Sequence, residues 1–409
     1  MVVRLSLHCR QVSTERNIME LIRGTQDIYY VGVQDETIDL FEDQYMVPQG
    51  ISYNSYVIRD SKIAVMDTVD ERGTDVWFDS LEEALDGKAP DYLVIHHMEP
   101  DHSANIVAFM AKYPETKLVG NAKTFTFMKQ FFGENFEANQ VVIKEGDTLE
   151  LGAHTLKFVM APMVHWPEVF VSYDEASKTL FSADAFGKFG VPGVNLYDNQ
   201  SDWKDEARRY YINIVGKYGA MTTAFLKKAS ALDIERILPL HGPVLDQNLS
   251  YYLDLYKTWG SYVPERKGTV ILAASTHGNM VRAAERFAEI LKGRGEEVLV
   301  FDVNRDDPAE MVAEMFAYDK AVIATITYDG GLMPAMMDML YRLKHKGYQN
   351  RKVGIIESGT WGPVAARIVR AELEGCKNLT VAEKTVTILS AMNEKTEGDF
   401  IELADELLG

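Results

Sequence analysis

The chain has 409 residues, of which 46% are hydrophobic and 25% are charged, as is typical of a globular protein with two or three domains. The formal net charge of -19 excludes the basic footprint that a nucleic-acid-binding protein needs. Two cysteines, Cys9 and Cys376, cannot form a disulfide framework, so a reduced, cytoplasmic location is expected. No run of about 18 apolar residues occurs, and no membrane-spanning segment is expected.

Patterned sequence begins near Ile28, and residues 1–19 are expected to form an N-terminal tail. From there to about residue 262, short strand patterns rich in β-branched and aromatic residues are mixed with helical patterns. Several strand patterns run directly into polar loops, namely YLVIH, KFVMAP, LFSAD and ILPL. This mixture predicts an α/β fold for residues 20–262, with two sheets between helices in an αββα sandwich.

The pattern changes near residue 265 to a strict alternation of strand and helix. Five strand patterns, of which TVILAAS is the first, are each followed by a helical pattern. Five such repeats in about 140 residues predict a doubly wound parallel sheet over residues 266–409. No further domain is expected after the last helix.

Potential metal ligands follow the strands of the first region. Four of them fall within six residues of each other, and three more each follow a separate strand. The set contains four imidazoles and three carboxylates, namely His97, Glu99, Asp101, His102, His165, Asp184 and His241. Seven donors exceed the needs of one tetrahedral ion and suit two metals that share a carboxylate. A carboxylate-rich set without thiolates favours iron or manganese over zinc.

The remaining histidines are expected to lie outside this site. Strand alternation points His96 away from His97. We expect His8 and His154 at the surface and His345 on the exposed face of a helix. A single histidine at a strand end is usually a packed or solvated residue, so the metal prediction depends on the whole set.

These donors and their order resemble the metallo-β-lactamase-like domain of the flavodiiron proteins, whose motif is H-x-E-x-D-H followed by His, Asp and His. The spacings match the family, except that Asp184 and His241 are slightly closer together. Zinc hydrolases of this fold carry a histidine where this chain has Glu99, and a carboxylate suits an iron pair better. The resemblance implies two irons bridged by Asp184, one on His97, Glu99 and His165 and the other on Asp101, His102 and His241.

Three loops of the second region are candidates for binding flavin mononucleotide (FMN). Each is expected at the carboxyl end of a strand, where doubly wound sheets bind ligands. The first precedes a helix, whose free N–H groups attract a phosphate. Glycines let the backbone approach the isoalloxazine ring, and two aromatic residues can stack on it. The loop residues are Ser275, Thr276, His277, Gly278, Asn279 and Met280; Thr325, Thr327, Tyr328, Asp329, Gly330 and Gly331; and Ser358, Gly359, Thr360, Trp361 and Gly362.

The first loop resembles the phosphate loop of flavodoxins, with two departures. His277 and Met280 replace hydroxyl residues of that loop. We therefore expect backbone donors to bind the phosphate, with side-chain donation from Ser275, Thr276 and Asn279 and partial positive charge from His277. No G-x-G-x-x-G sequence follows a strand, so NAD is not expected in this region.

The chain resembles the minimal, two-domain class of flavodiiron proteins, which implies an oxidoreductase that reduces O2 to water, NO to N2O, or both. Electrons would pass through FMN to a non-haem di-iron site. In this family the two cofactors of one chain are far apart, which implies a head-to-tail homodimer or a homotetramer of such dimers.

The family's usual electron donors are a rubredoxin or a reduced deazaflavin, and no rubredoxin-like C-x-x-C pair occurs in this chain. Residues near the ligands, such as Trp166, are expected to influence the preference between O2 and NO, which the sequence leaves open. Two alternatives are a zinc hydrolase with an accessory flavodoxin domain and an electron-transfer module with a vestigial metal site.

Overall fold

The computed structural model describes residues 19–198 and 203–409 of the chain. Most of the expected N-terminal tail, including His8, lies outside these ranges. The described residues form three main sheets and two small two-stranded ribbons. No helix within the described ranges is long and apolar enough to span a membrane.

The first region, up to residue 260, contains many short strands. They are Glu20–Leu21 (β1), Ile28–Tyr30 (β2), Val33–Asp35 (β3), Leu40–Phe41 (β4), Tyr45–Met46 (β5), Ile51–Tyr53 (β6), Tyr56–Arg59 (β7), Ile63–Met66 (β8), Tyr92–Val94 (β9), Lys117–Gly120 (β10), Gln140–Val142 (β11), Thr148–Glu150 (β12), Thr155–Met160 (β13), Phe170–Asp174 (β14), Thr179–Phe181 (β15) and Arg236–Leu238 (β16). The helices are Thr74–Leu85 (α1), Pro100–Ser103 (α2), Ile106–Lys112 (α3), Ala122–Phe132 (α4), Trp203–Tyr210 (α5), Gly219–Ala229 (α6) and Leu249–Gly260 (α7).

Two of the sheets face each other in this region. The seven-stranded sheet has the order β1-β2-β7-β8-β9-β10-β11, and the five-stranded sheet has the order β12-β13-β14-β15-β16. Because side chains alternate along a strand, Met66 of the first sheet shares a buried core with Phe170 of the second. Its neighbour Val65 belongs to a different core, together with Trp77 of α1. The predicted αββα sandwich is therefore confirmed.

The second region contains longer strands. They are Arg266–Ala273 (β17), Val298–Asp302 (β18), Tyr318–Tyr328 (β19), Gly331–Leu332 (β20), Lys352–Ser358 (β21) and Thr380–Ile388 (β22). The helices are Asn279–Gly293 (α8), Pro308–Ala317 (α9), Pro334–Lys346 (α10), Ala365–Leu373 (α11) and Glu394–Leu408 (α12).

The strands of the second region form a sheet in the order β18-β17-β19-β21-β22, with β20 paired to β19. All the pairs along this order are parallel. The order is the flavodoxin-like one, in which the second strand lies outside the first. Ile271 packs with Phe287 of α8 on one face of the sheet, whereas Leu272 packs with Met311 of α9 on the other. Helices therefore cover both faces, and the predicted doubly wound sheet is confirmed.

Buried charges join the two regions. The Arg208 guanidinium lies 2.6 Å from a carboxylate oxygen of Glu265 and 2.6 Å from one of Glu314 in α9. A pair of this kind needs both partners in place, because a single buried charge is costly. The boundary between residues 262 and 266 remains a prediction, although sheet membership changes between β16 and β17.

Candidate metal centre and flavin loops

Four segments bring the predicted metal donors to one end of the sandwich. β15 and β16 are parallel neighbours, so Asp184 and His241, which follow them, lie at the same edge. His165 lies in the connection between β13 and β14. Glu99 is the N-cap residue of α2, and Pro100 occupies the first turn of that helix, where its missing N–H costs nothing. Short turns at strand ends thus position the donors.

One group of donors consists of His97, Glu99, His165 and Asp184. An oxygen of Glu99 lies 3.2 Å from Nε2 of His97 and 3.0 Å from Nε2 of His165. Oδ2 of Asp184 lies 3.4 Å and 3.0 Å from the same two nitrogens. Both imidazoles therefore present Nε2 to the same pair of carboxylates.

A second group consists of Asp101, His102 and His241. The Nε2 atoms of the two histidines lie 3.0 Å apart. Oδ2 of Asp101 lies 3.3 Å from Nε2 of His102 and 3.4 Å from Nε2 of His241. All three side chains converge on one point.

Asp184 lies between the two groups and is buried. Its Oδ2 faces the first group, whereas its Oδ1 lies 3.4 Å from Nε2 of His102 and 3.9 Å from Nε2 of His241 in the second. A carboxylate with one oxygen toward each group has the geometry of a bridge. The grouping by distance coincides with the division that the resemblance implies, while the role of each donor as a ligand remains a prediction.

In the part of the chain that the structure describes, several donor atoms have no hydrogen-bond partner and are suited to binding metal ions. Both carboxylate oxygens of Asp101, both of Asp184 and Nε2 of His165 are buried without a hydrogen-bond partner of good geometry. Unpaired buried polar atoms are costly, and several in one place call for a cation. A mixed imidazole and carboxylate set suits iron.

Residues behind the donors orient two of the imidazoles. Nδ1 of His97 donates to Glu168 over 2.8 Å, and Nδ1 of His241 donates to the backbone carbonyl of Ser52 over 2.7 Å. These bonds leave Nε2 free to bind a metal. Glu168 was not among the predicted site residues, although its position three residues after His165 was a signal that could have identified it.

In the absence of metal, the carboxylates change the proton affinity of the imidazoles. Burial lowers the pKa of His165, but the carboxylates of Asp184 and Glu99, each 3.0 Å from its Nε2, outweigh burial and raise that pKa to about 9. Burial also opposes ionisation of Asp184, but the charge of His97 and the adjacent imidazoles of His102 and His165 hold its pKa well below its usual range. The site thus attracts positive charge, which metal ions supply when they displace these protons.

Aromatic rings surround the donors. The rings of Phe41 and Tyr210 lie 5.4 Å and 5.5 Å from the ring of His241, and Trp166 lies 5.2 Å from His97. Phe41 and Tyr210 are buried, whereas Trp166 is partly exposed. These rings limit the access of bulk water to the donors.

His96 has partners outside the metal centre. Its Nδ1 lies 2.5 Å from Oδ2 of Asp67, and its Nε2 lies 2.7 Å from Oγ of Ser172. Its ring is therefore engaged away from the donors, as strand alternation predicted.

The prediction for His154 was wrong. Its side chain is buried and lies between two carboxylates, at 2.8 Å from Asp174 and 2.9 Å from Asp27. Burial of an imidazole is possible here because these charges compensate for lost hydration. His345 is exposed on α10, as expected.

The predicted flavin loops follow β17, β19 and β21, which are neighbours in the parallel sheet. Gly278 is the N-cap residue of α8, with a φ of 80° that suits glycine, and it has no side chain with which to cap the first N–H groups of the helix. Tyr328 is 41% exposed and Trp361 is 95% exposed. The loops therefore offer backbone donors and open aromatic faces at one edge.

The second flavin loop is shorter than predicted. Thr325 and Thr327 belong to β19, and Asp329 and Gly330 form a two-residue turn with φ values of 48° and 73°. Thr325 is fully buried within the sheet, and Oγ1 of Thr327 accepts the N–H of Val364 over 2.9 Å. The alternating pattern of β-branched residues extends the strand up to the turn.

A cavity of about 200 Å³ lies beside the first loop. Three of its lining residues were predicted, namely Asn279, Met280 and Ser358. The others were not singled out, namely Arg282, Ile388, Ser390, Ala391 and Met392. The segment after β22 could have been included by the same rule that identified the other loops, since it also follows a carboxyl end of the sheet.

The chain is similar to known proteins along most of its length. Residues 51–242, which contain all seven predicted donors, match the family described as ODP family beta lactamase. The anaerobic nitric oxide reductase flavorubredoxin of Vibrio vulnificus is 29% identical over 362 residues, which cover 86% of this chain and 72% of that protein.

Solved structures with a similar fold are also known. The rubredoxin oxygen:oxidoreductase of Desulfovibrio gigas has a TM-score of 0.89 at 23% identity, with 95% of this chain and 97% of that chain covered. The flavodiiron protein of Giardia intestinalis has a TM-score of 0.87 at 25% identity, with 95% and 96% covered. The fold, the two donor groups and these similarities agree with one another: over most of its length the chain resembles the flavodiiron proteins.

Proposed function

We propose that this chain is an oxidoreductase that reduces O2 to water, NO to N2O, or both, at a non-haem di-iron site supplied with electrons through FMN. The observation that carries the proposal is the position of Asp184, whose two oxygens face two separate donor groups. A single metal would not need this arrangement. Relatives named as a nitric oxide reductase and as an oxygen oxidoreductase support the choice of gases.

The metal-binding role would fall to the two donor groups, and the flavin-binding role to the loops after β17, β19 and β21. We propose residues 20–262 as the di-iron domain and residues 266–409 as the FMN domain. When bound, the irons and the flavin would supply the electrons for gas reduction. Glu168 and Ser52 would hold two imidazoles with Nε2 toward the metals, and Phe41, Tyr210 and Trp166 would limit water access.

The exposed flavin loops support an assembly of more than one chain. Trp361 and Leu389 at the flavin edge are exposed apolar side chains. We propose a head-to-tail homodimer, or a homotetramer of such dimers, in which the flavin loops of one subunit face the metal centre of the other. Light scattering of the purified protein should give twice or four times the chain mass, and an active monomer would contradict this assembly.

The electron donor is proposed to be a rubredoxin or a reduced deazaflavin. The name of the Desulfovibrio gigas relative includes rubredoxin, which supports the first of these. We also propose a cytoplasmic location, because two cysteines cannot provide a disulfide framework.

The decisive experiment separates the metal centre from the flavin. Glu99→Ala should abolish the reduction of O2 and NO while the bound flavin is still reduced by a chemical donor. Glu83→Ala, which changes an exposed carboxylate on α1, is the matched control and should behave like the original protein. If gas reduction survives in Glu99→Ala, the di-iron mechanism is wrong.

Metal analysis tests the hydrolase alternative. The presence of Glu99, where zinc hydrolases of this fold carry a histidine, favours about two irons per chain over two zincs. Protein prepared without added metal should contain iron, and two zincs with no iron would contradict the proposed function.

A further inference from the structure

The first flavin loop, residues 275–280, carries His277 and Met280 at two positions where the flavodoxin loop has hydroxyl residues. Met280 is buried, and its N–H donates to Oγ of Ser275 over 3.3 Å. Nδ2 of Asn279 donates to the carbonyl of Ser390 over 3.2 Å, and Oδ1 of Asn279 accepts from Arg282. Ser275 and Asn279 thus already take part in hydrogen bonds within the protein, which fix the conformation of the loop.

Arg282 brings a positive charge to this loop. It belongs to the first turns of α8, and side chains of a helix lean toward its N-terminus. Its guanidinium lies over Gly278, with Nη1 3.0 Å from the position that a Cβ would take there. The same side chain lines the cavity beside the loop, together with Asn279 and Ser358.

This charge has no acidic partner within the described ranges of the chain. Its neighbour one turn further along α8 behaves differently, since Arg286 forms ion pairs with Glu397 at 3.0 Å and Glu289 at 2.7 Å. The two arginines share one helix and differ in whether a carboxylate already neutralises them. Arg282 is therefore the one available to an external anion.

We propose that Arg282 binds the phosphate of FMN and supplies, as a positive charge, what the loop lacks in side-chain hydroxyls. The inference rests on the proposed function, which places FMN at this edge of the sheet. A guanidinium binds phosphate oxygens through charge-assisted hydrogen bonds, which are stronger than those from neutral donors. Gly278 belongs to the same arrangement, because a side chain at that position would occupy the space of the guanidinium.

The test compares FMN with riboflavin, which has no phosphate. The full-length chain is freed of flavin, and each flavin is titrated by fluorescence quenching at low and high salt. Arg282→Gln should weaken FMN binding by about ten- to a hundredfold, as expected for a hydrogen bond to a charged group, and leave riboflavin binding unchanged. The salt dependence of FMN binding should also decrease, because salt screens the lost charge.

Two further variants control the test. Arg286→Gln removes the paired arginine and should bind FMN like the original chain, whereas Arg282→Lys should restore part of the affinity. Equal FMN affinity in Arg282→Gln and the original chain would overturn the inference alone, as would an equal loss for both flavins. If the original chain binds neither flavin, the proposed function fails as well.

Discussion

The metal centre and the flavin loops of this chain are built in contrasting ways. The metal donors, all buried except the partly exposed Glu99, already converge, and residues such as Glu168 fix their orientation from behind. The flavin edge instead presents backbone N–H groups and an almost fully exposed Trp361. In a buried site, ligand affinity depends on each charged side chain. In an open site, the binding free energy comes from many weak contacts. Substitutions should therefore have larger effects at the metal centre.

The largest effect is expected from Asp184→Asn. This change removes the one charge that faces both donor groups, so we expect iron content to fall at both positions and gas reduction to fall at least about a hundredfold. Iron analysis and O2 and NO consumption measure the outcome. Asp233→Asn, at an exposed carboxylate, is the control. Full iron content with normal turnover in Asp184→Asn would contradict the bridging role.

Glu168→Gln should have an intermediate effect. The variant keeps the size of the side chain but removes the charge that accepts the Nδ1 proton of His97, and such residues typically contribute about 10- to 100-fold in metal affinity or activity. Chelator competition measures the loss of iron affinity. Glu175→Gln, on the exposed turn after β14, should leave it unchanged. An unchanged affinity in Glu168→Gln would show that this bond does not orient the ligand.

The buried charges of the first region should also make its stability depend on pH. Hydrogen bonding to Asp174 outweighs burial, and with Asp27 it raises the pKa of His154 to about 9. Because the folded pKa exceeds the usual value of about 6.5, protonated His154 stabilises the fold fully below about pH 6.5, and this stabilisation is lost as the pH rises through about 9. Its size is at most about 3 kcal/mol, since about 1.36 kcal/mol corresponds to each pKa unit and Asp27 is partly exposed.

Thermal unfolding between pH 6 and pH 10 tests this expectation. For the original chain, the unfolding temperature measured by circular dichroism should fall from pH 6 to pH 10. The temperature of flavin release, which reports on the second region, should change less. His154→Asn should be less stable at pH 6 and match the original chain near pH 10. Equal stability of the two at pH 6 would contradict a stabilising charge on His154.

The smallest effect is expected from Trp361→Ala. If its exposed ring stacks on the flavin, its removal should weaken FMN binding about fivefold, which corresponds to about 1 kcal/mol for an aromatic contact. Protein stability should not change, because the side chain makes little contact with the fold. Tyr341→Ala, at an exposed aromatic residue on α10, is the control. A loss of more than a hundredfold would show that the open edge depends on one side chain after all.

Most of the fold could be predicted from short stretches of the sequence. The strict alternation after residue 265 predicted the doubly wound sheet, because each strand and helix pattern is set by nearby residues. Predictions from local sequence were wrong where a residue distant in the sequence determines whether a side chain is buried. His154 looked like a surface residue, since Asp27 is more than a hundred residues away and brings its charge only in the folded chain. The contact between Asn279 and Ser390, in the segment after β22, likewise joins residues that are distant in the sequence.

By itself, the sequence determined which chemical groups this protein can use. The order of four imidazoles and three carboxylates after apolar strands indicated a two-metal site, because residue type and strand ends are local properties. Only the tertiary structure determined how these side chains are divided between two donor groups. Asp184 faces both donor groups because β15 and β16 lie side by side, and Glu168 reaches His97 because their two loops meet. Distances between loops of different strands depend on sheet packing, which no short stretch of sequence contains.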